Sequence, residues 1–262
     1  MPNEVCQRTL ESKFTARLLV LAVLLVFGAS GCASDRAFKK RQADRALNVA
    51  SRALAMDDTT LALQQLLEAQ KNDPDNPHIH YNLGITYTRK EVLDKAEYHF
   101  KQAVRLKPDF SEAYNNLGVL YLRQGQVDQA IEALKKALDS LLYLNPQHAH
   151  LNLGRAYLLK KDYNKAAEHF QRAVKLVPDY VAAYYFLGLA YEGLEEDREA
   201  IRAYRQVVKF VPNNVPAHLN LGKLLYRTGE KQAAVDSFSE VIRLAPNSAA
   251  AEKAQRYLDV LR

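Results

Sequence analysis

Histidine is the residue type in this chain best suited to catalysis or metal binding, because neutral imidazole ligates metals and accepts protons near neutral pH. The chain has seven histidines. All of them recur at three positions of a longer pattern, one of which lies three residues before the Leu of a Leu-Gly dipeptide. The three sets are His80, His150 and His218; His78 and His148; and His99 and His169. Such recurrence indicates structural positions, so we predict no metal site.

The composition excludes several other functional classes. Hydrophobic residues make up 48% and charged residues 25%, which are values of a globular protein. The formal net charge of +6 is mild, and basic residues are interspersed with acidic ones, which argues against a nucleic-acid partner. The P-loop, G-x-S-x-G, H-E-x-x-H and G-x-G-x-x-G motifs are absent. We therefore expect a non-catalytic protein with no cofactor and no small-molecule substrate.

The first 32 residues contain both cysteines, Cys6 and Cys32, so a disulfide framework in the body of the chain is excluded. Two cations precede an apolar run over residues 18–29, and small residues follow it. This order is typical of a secretory signal peptide, and the run is shorter than the roughly 20 residues of a membrane-spanning helix. An uncleaved membrane anchor is the alternative.

The sequence Ala29-Ser30-Gly31-Cys32 resembles the bacterial lipobox, in which cleavage leaves an acylated cysteine as the new N-terminus. The resemblance implies that Cys32 is lipidated and that residues 1–31 form a lipoprotein signal peptide. Because Ala33 follows the cysteine in place of Asp, it also implies a periplasm-facing outer-membrane protein. Residues 32–42 would then form a short tether, whose cations either lie on anionic headgroups or are simply solvated.

Leu-Gly dipeptides divide the rest of the chain at spacings of 34, 36, 34 and 34 residues. Tyr, Ala, Phe and Pro follow each dipeptide at nearly constant offsets. A period of 34 with these residues is the tetratricopeptide signature, so we predict an all-α, right-handed superhelical solenoid of helix pairs with a C-terminal capping helix. The predicted repeats are 43–76, 77–110, 111–146, 147–180, 181–214 and 215–248, and the capping helix is 249–262.

Two features depart from a uniform array. Two residues are inserted near 138–147, which predicts either a longer third-repeat helix or a bulged turn. In the capping helix, Tyr257, Val260 and Leu261 are expected to face the last repeat. The Gly and Ala positions are small, which predicts close approach of the paired helices there.

The first helix of each pair is expected to line a concave face. Asparagine stands directly before Leu-Gly in four repeats, and Phe186 takes that place in the fifth. An amide has both donors and acceptors, so a row of amides can pair with an extended peptide backbone; alternatively, each amide bonds a loop of its own repeat. The predicted groove residues are Asn82, Asn116, Asn152, Asn220, Tyr81, Ile85, Arg89, Asn115, Val119, Leu122, Arg123, Arg155, Tyr185 and Leu189.

A lipobox followed by six such repeats resembles the type IV pilus biogenesis lipoproteins of the PilF/PilW type. The junction with Asp139, Leu142, Tyr143 and Pro146 is similar to the interrupted junction between the third and fourth repeats of that family. The resemblance implies a role in localising or assembling the pilus secretin, and the Asn row resembles the ladder of some peptide-binding superhelices. An adaptor for peptidoglycan enzymes and a periplasmic chaperone-like binder of extended polypeptides are the alternatives.

Overall fold

A computed structural model describes residues 35–261, and every regular element in that range is an α-helix. Helix α1 covers residues 35–55. The helices that follow are α2 (Thr59–Asn72), α3 (Pro77–Arg89), α4 (Leu93–Leu106), α5 (Ser111–Arg123), α6 (Val127–Leu138), α7 (Pro146–Leu159), α8 (Tyr163–Leu176), α9 (Val181–Gly193), α10 (Asp197–Phe210), α11 (Val215–Arg227), α12 (Lys231–Leu244) and α13 (Ala249–Leu261). The predicted signal peptide and Cys32 lie outside the described residues.

The helices form two compact units, one up to Leu106 and one from Lys107. In the first unit, α2 packs on α3 and α3 packs on α4. In the second unit, each helix from α5 to α13 packs on the next one along the chain. Alternate helices also touch there, namely α5 with α7, α7 with α9, and α11 with α13. This pairing confirms the predicted all-α helix-pair fold.

A left-handed backbone position recurs in the turn that joins the two helices of each pair. The residues with positive φ are Asp57, Glu91, Gly125, Lys161, Glu195 and Gly229. In each turn, the following amide bonds a carbonyl five residues back, as Val92 N–H does with the Tyr87 carbonyl at 2.9 Å. This geometry ends the first helix and reverses the chain. Only two of the six positions carry glycine, so the other four bear the steric cost of a side chain in this conformation.

Glycine on the first helix of a pair faces a large side chain on the second. A Cβ added at Gly118 would lie 2.5 Å from Leu134 Cγ, and one added at Gly84 would lie 2.5 Å from the Phe100 ring. The facing side chains are fully or almost fully buried. The small residues of the Leu-Gly pattern therefore leave room for the core, as the sequence predicts.

Two of these seams contain a pair of histidines. His80 Nδ1 lies 3.0 Å from His99 Nδ1 between α3 and α4, and His150 Nδ1 lies 3.1 Å from His169 Nδ1 between α7 and α8. In each pair one ring nitrogen donates and the other accepts, and the tautomers decide which ring does which. Burial, with a smaller contribution from the partner ring, lowers the pKa of His99 and of His150 to about 4. The histidines of both pairs are thus parts of the packed seams.

The inserted residues form a turn and do not lengthen a helix. Helix α6 ends at Leu138 and α7 begins at Pro146. Tyr143 is buried in a cluster with Ala137 and Ala149, and it pins the turn to the body. Its neighbours Leu141, Leu142 and Leu144 point outward and are 101%, 85% and 85% exposed.

The two ends of the described chain differ in part from the expectation. The predicted tether is helical from residue 35 onward and is exposed up to residue 41. At the other end, α13 packs on α11 and α12, and the Tyr257 ring stacks on Phe238 at 4.8 Å. Val260, expected to face the last repeat, is instead 70% exposed because it lies on the outer side of α13. Across residues 35–261, none of the helices combines the length and the apolar character needed to span a bilayer.

Candidate functional site

An open apolar pocket lies on the first helices of three consecutive pairs in the second unit. Its volume is about 450 Å³, within the range of ligand pockets in proteins. We call it the α5–α9 pocket; its lining residues are Val119, Leu122, Arg123, Arg155, Leu158, Leu159 and Phe186.

The repeat register explains why these side chains meet. Residues 119, 122 and 123 lie one turn apart on a single face of α5, and residues 155, 158 and 159 hold the equivalent positions on α7. Because α5 packs on α7 and α7 on α9, the two faces and Phe186 form one continuous surface.

A polar network supports the wall of the α5–α9 pocket. The buried Asn152 donates from Nδ2 to Asn115 Oδ1 at 3.1 Å and accepts from Arg155 Nη1 at 3.2 Å. The Arg155 guanidinium also lies 5.7 Å from the centre of the Phe186 ring, which stacks on Phe170 at 5.6 Å. These contacts hold Arg155 at the pocket while its side chain stays exposed.

The charge of the lining selects the kind of group that fits. Arg123 and Arg155 are both exposed, and none of the lining residues is a carboxylate. A partner segment with bulky apolar side chains beside an acidic group fits this lining. Its apolar side chains would be buried against leucine and phenylalanine, and its acidic group would pair with arginine.

A second pocket of about 510 Å³ lies on α11 and α13. This α11–α13 pocket is lined by Lys223, Tyr226, Lys253, Arg256, Tyr257 and Val260. The rings of Tyr226 and Tyr257 meet edge to face with centroids 5.4 Å apart. Three cations without a carboxylate among the lining residues favour an acidic partner here as well.

The structure brings only some of the predicted groove residues together. Val119, Leu122, Arg123 and Arg155 line the α5–α9 pocket. In the first unit, by contrast, Arg89 donates from Nη1 to the Leu54 carbonyl at 2.6 Å and pairs with Asp57 at 3.0 Å. Arg89 thus ties α3 to the turn between α1 and α2.

Several other predicted residues take part in packing. Ile85 packs on the buried cluster of Ala53, Leu54 and Ala62, and the Tyr81 ring lies 6.2 Å from Phe100. Tyr185 and Leu189 pack against the core of the last repeats. Burial raises the pKa of the Tyr185 phenol.

Asparagines of the predicted row form hydrogen bonds within the chain. Asn82 Nδ2 donates to the His78 carbonyl of its own helix at 2.9 Å, and Asn220 Nδ2 donates to Tyr204 Oη at 3.3 Å. Asn115 Nδ2 lies 3.5 Å from Asn116 Oδ1. The partners of Asn82, Asn152 and Asn220 named here are helical groups, and those of Asn152 and Asn220 include one residue of the preceding repeat. Asn152 is buried and already uses one N–H and one acceptor position of its amide inside the chain.

Sequence reasoning missed Leu158, Leu159 and the cations of the α11–α13 pocket. Leu158 and Leu159 stand 36 residues after the predicted groove residues Leu122 and Arg123, so the repeat register also predicts them as groove residues. Phe186 was visible as the residue that interrupts the asparagine row. Within residues 35–261, no three His, Cys, Asp or Glu side chains are grouped closely enough to hold a metal ion.

Comparison with protein families identifies the class of protein. Tetratricopeptide repeat models match residues 109–179, 151–215 and 187–249, and a further TPR repeat model matches residues 86–125. These matches together cover residues 86–249, so the chain is a tetratricopeptide-repeat protein. None of the matching families is enzymatic. A search of curated proteins found no match.

Solved structures with the same fold include two pilus biogenesis factors. PilF of Pseudomonas aeruginosa is 19% identical, with a TM-score of 0.75 over 84% of this chain and 99% of PilF. PilW, described as a widely conserved type IV pilus biogenesis factor, is 23% identical, with a TM-score of 0.73 over 81% of this chain and 98% of PilW. YrrB, a TPR protein with an unusual peptide-binding site, is 19% identical, with a TM-score of 0.62 over 73% of this chain and 97% of YrrB.

Proposed function

We propose that this protein is a non-catalytic interaction scaffold, anchored to the outer membrane, that assists assembly or localisation of the type IV pilus secretin. The observation that carries the proposal is the fold likeness to PilF and PilW, which extends over nearly the whole length of both proteins. The lipobox-like sequence at Cys32 supports the membrane location.

The inner surface of α5, α7, α9, α11 and α13 is the proposed binding surface for the protein partner. It carries two open pockets, and each combines apolar or aromatic walls with arginine or lysine. Aromatic and arginine side chains are the residue types that most often dominate protein interfaces. Acidic, partly apolar segments of the secretin are the expected contacts.

Deletion of the gene, with and without a plasmid-borne copy, tests the role directly. Loss of the protein is expected to leave secretin monomers in place of multimers on an immunoblot and to abolish surface pili. Normal multimers in the deletion strain would exclude the secretin role.

Charge-reversal variants test the binding surface. Arg123→Glu/Arg155→Glu changes the α5–α9 pocket, and Lys253→Glu/Arg256→Glu changes the α11–α13 pocket. Arg172→Glu/Arg202→Glu is the matched control, because these exposed arginines lie on α8 and α10, line neither of the two pockets, and pair with Glu168 and Glu199 of their own helices. We expect the pocket variants to reduce secretin multimers at least tenfold and the control to leave them unchanged. Equal effects of all three would point to lost net charge and remove the pockets from the mechanism.

The anchor is tested separately by metabolic labelling with a fatty-acid analogue. The wild-type chain should be labelled and Cys32→Ser should not. Equal labelling of both would exclude lipidation at Cys32, whatever the result of the secretin assay.

A binder of extended polypeptides is the second candidate, because YrrB is a peptide-binding protein of the same fold and the α5–α9 pocket is open. Binding of unfolded outer-membrane polypeptides to the purified protein, lost in Arg123→Glu/Arg155→Glu, together with normal secretin multimers in the deletion strain, would favour this candidate.

A further inference from the structure

The turn between α6 and α7 exposes more apolar surface than any requirement of folding explains. We call residues 139–145 the leucine loop. Leu141, Leu142 and Leu144 have exposed fractions of 101%, 85% and 85%. Contiguous exposed apolar side chains mark interaction sites in soluble domains.

The leucine loop has a defined shape. Tyr143 is buried beneath it against Ala137 and Ala149, and Tyr143 N–H donates to the Ser140 carbonyl at 3.2 Å. Leu142 N–H donates to Ser140 Oγ at 3.3 Å. Because Tyr143 faces inward, its neighbours on both sides are directed away from the body.

The same unit contains a surface of complementary chemistry. The leucine loop contains three exposed leucines and the exposed carboxylate of Asp139. The α5–α9 pocket pairs leucine, valine and phenylalanine with Arg123 and Arg155, and its lining has no carboxylate. The two surfaces therefore match in both apolar character and charge.

The leucine loop cannot fill the α5–α9 pocket of its own chain. The loop precedes Pro146 at the start of α7, whereas Leu158 and Leu159 lie at the end of that helix. A rise of 1.5 Å per residue separates these positions by about 18 Å along the helix axis.

We infer that the leucine loop of one copy docks into the α5–α9 pocket of a second copy of this chain. The interface joins two different surfaces, so it is heterologous and builds head-to-tail assemblies that close into rings or extend as chains. A second copy is favoured over a lipid surface because the charges of residues 132–139 cancel: Lys135 and Lys136 are offset by Glu132 and Asp139. Self-association goes beyond the proposed function and does not require the secretin, but it uses the pocket that the proposed function assigns to the secretin, so the two occupants exclude each other at that pocket.

Mixing two damaged variants tests the head-to-tail geometry. The loop variant is Leu141→Ser/Leu142→Ser/Leu144→Ser, and the pocket variant is Leu159→Asp; all four side chains are exposed, so the fold is kept. The full chain carries a donor or acceptor fluorescent protein at its C-terminus and is held in detergent with micelles in excess. Energy transfer between copies measures association.

We expect association of the wild type and at least about tenfold weaker association of each variant with itself. A mixture of the loop variant with the pocket variant should associate again, because an intact pocket on the first meets an intact loop on the second. The matched control Met56→Ser/Leu67→Ser/Leu176→Ser removes three exposed apolar side chains elsewhere and should behave like the wild type. No association of the wild type, undiminished association of the loop variant, or failure of the mixture would each overturn the inference.

A single tryptophan distinguishes a second copy from a lipid surface. The chain has no tryptophan, so Leu142→Trp introduces a unique fluorophore at the tip of the leucine loop. Its emission should shift to the blue as protein concentration rises, and adding Leu159→Asp to the same chain should abolish the shift. A blue shift that survives Leu159→Asp would place the leucine loop in the micelle or on another surface and overturn the inference.

Discussion

Two neighbouring regions of the chain differ in how far they bury apolar side chains. The seam between α5 and α6 buries them, whereas the junction between α6 and α7 exposes them. In the seam, Leu134 is fully buried against Gly118, and no space remains for one further carbon atom. In the junction, a buried Tyr143 supports three leucines that face solvent. The difference separates the part of the repeat that stabilises the fold from the part that is free to bind.

Gly118→Leu should have the largest effect on stability. The first carbon of the new side chain would meet Leu134 at 2.5 Å and the Ala130 carbonyl oxygen at 3.3 Å, so backbone as well as side chain must move. We expect a loss of about 3 kcal/mol, at the upper end of overpacking effects, and a broadened thermal transition. Gly118→Ala should cost less, in the same direction. An unchanged melting curve for Gly118→Leu would contradict the seam as described.

Acidification should have the second-largest effect on stability, because it weakens the two histidine-containing seams. The pKa of His99 and of His150 is lowered to about 4, so the unfolded chain binds more protons than the folded one below about pH 6.5. The contribution of these histidines to the free energy of unfolding is fully present above pH 6.5 and declines as pH falls toward 4. Between pH 7 and pH 5 we expect a loss of about 1–2 kcal/mol for each pair. Urea titrations at several pH values measure this slope. It should flatten in His99→Gln/His150→Gln, and an identical slope in that variant would assign the pH dependence to other groups.

Tyr143→Ala tests whether the leucine loop is pinned as described. Removal of the ring leaves a cavity beside Ala137 and Ala149, but a turn can relax more than a helix core. We expect a loss of about 2 kcal/mol and faster amide hydrogen exchange confined to residues 139–145. Protection that is unchanged in this segment would show that Tyr143 does not order it.

The paired substitutions Asn152→Ala and Asn82→Ala compare a buried amide with one bonded only to its own helix. Asn152 holds both Asn115 and Arg155, whereas Asn82 bonds the His78 carbonyl. We expect about 1–2 kcal/mol for the first and under about 0.5 kcal/mol for the second, because only the first removes a buried side chain together with two side-chain hydrogen bonds. Equal denaturation midpoints for the two variants would refute this distinction.

The triple substitution of Leu141, Leu142 and Leu144 by Ser should have the smallest effect on stability. These side chains make little contact with the body, and surface changes of this kind usually stay within about 0.5 kcal/mol. The same protein should lose association between copies, so function and stability separate in one variant. A drop in melting temperature comparable to that of Tyr143→Ala would show that the leucines are part of the core.

The sequence alone determined the helix-pair fold and the contents of the seams. A period of 34 residues fixes which positions face each other, and small residues at the Leu-Gly and Ala positions permit close packing. The period also located the inserted residues near 138–147, although it left open whether they lengthen a helix or form a turn. The structure shows a turn, in which the buried Tyr143 ring anchors the inserted segment to the body of the protein.

Tertiary structure decided which inner-helix residues form a site. The register placed Val119, Arg123 and Arg155 on the face that carries the α5–α9 pocket, but it could not distinguish a side chain that lines a pocket from one that bonds its own chain. The asparagines show why. Whether an amide is free depends on a neighbour one repeat away, as with Asn152 and Asn115, and that distance of 3.1 Å exists only once the helices have packed. Likewise, Arg89 bonds the Leu54 carbonyl because the end of α1 lies within reach of its guanidinium.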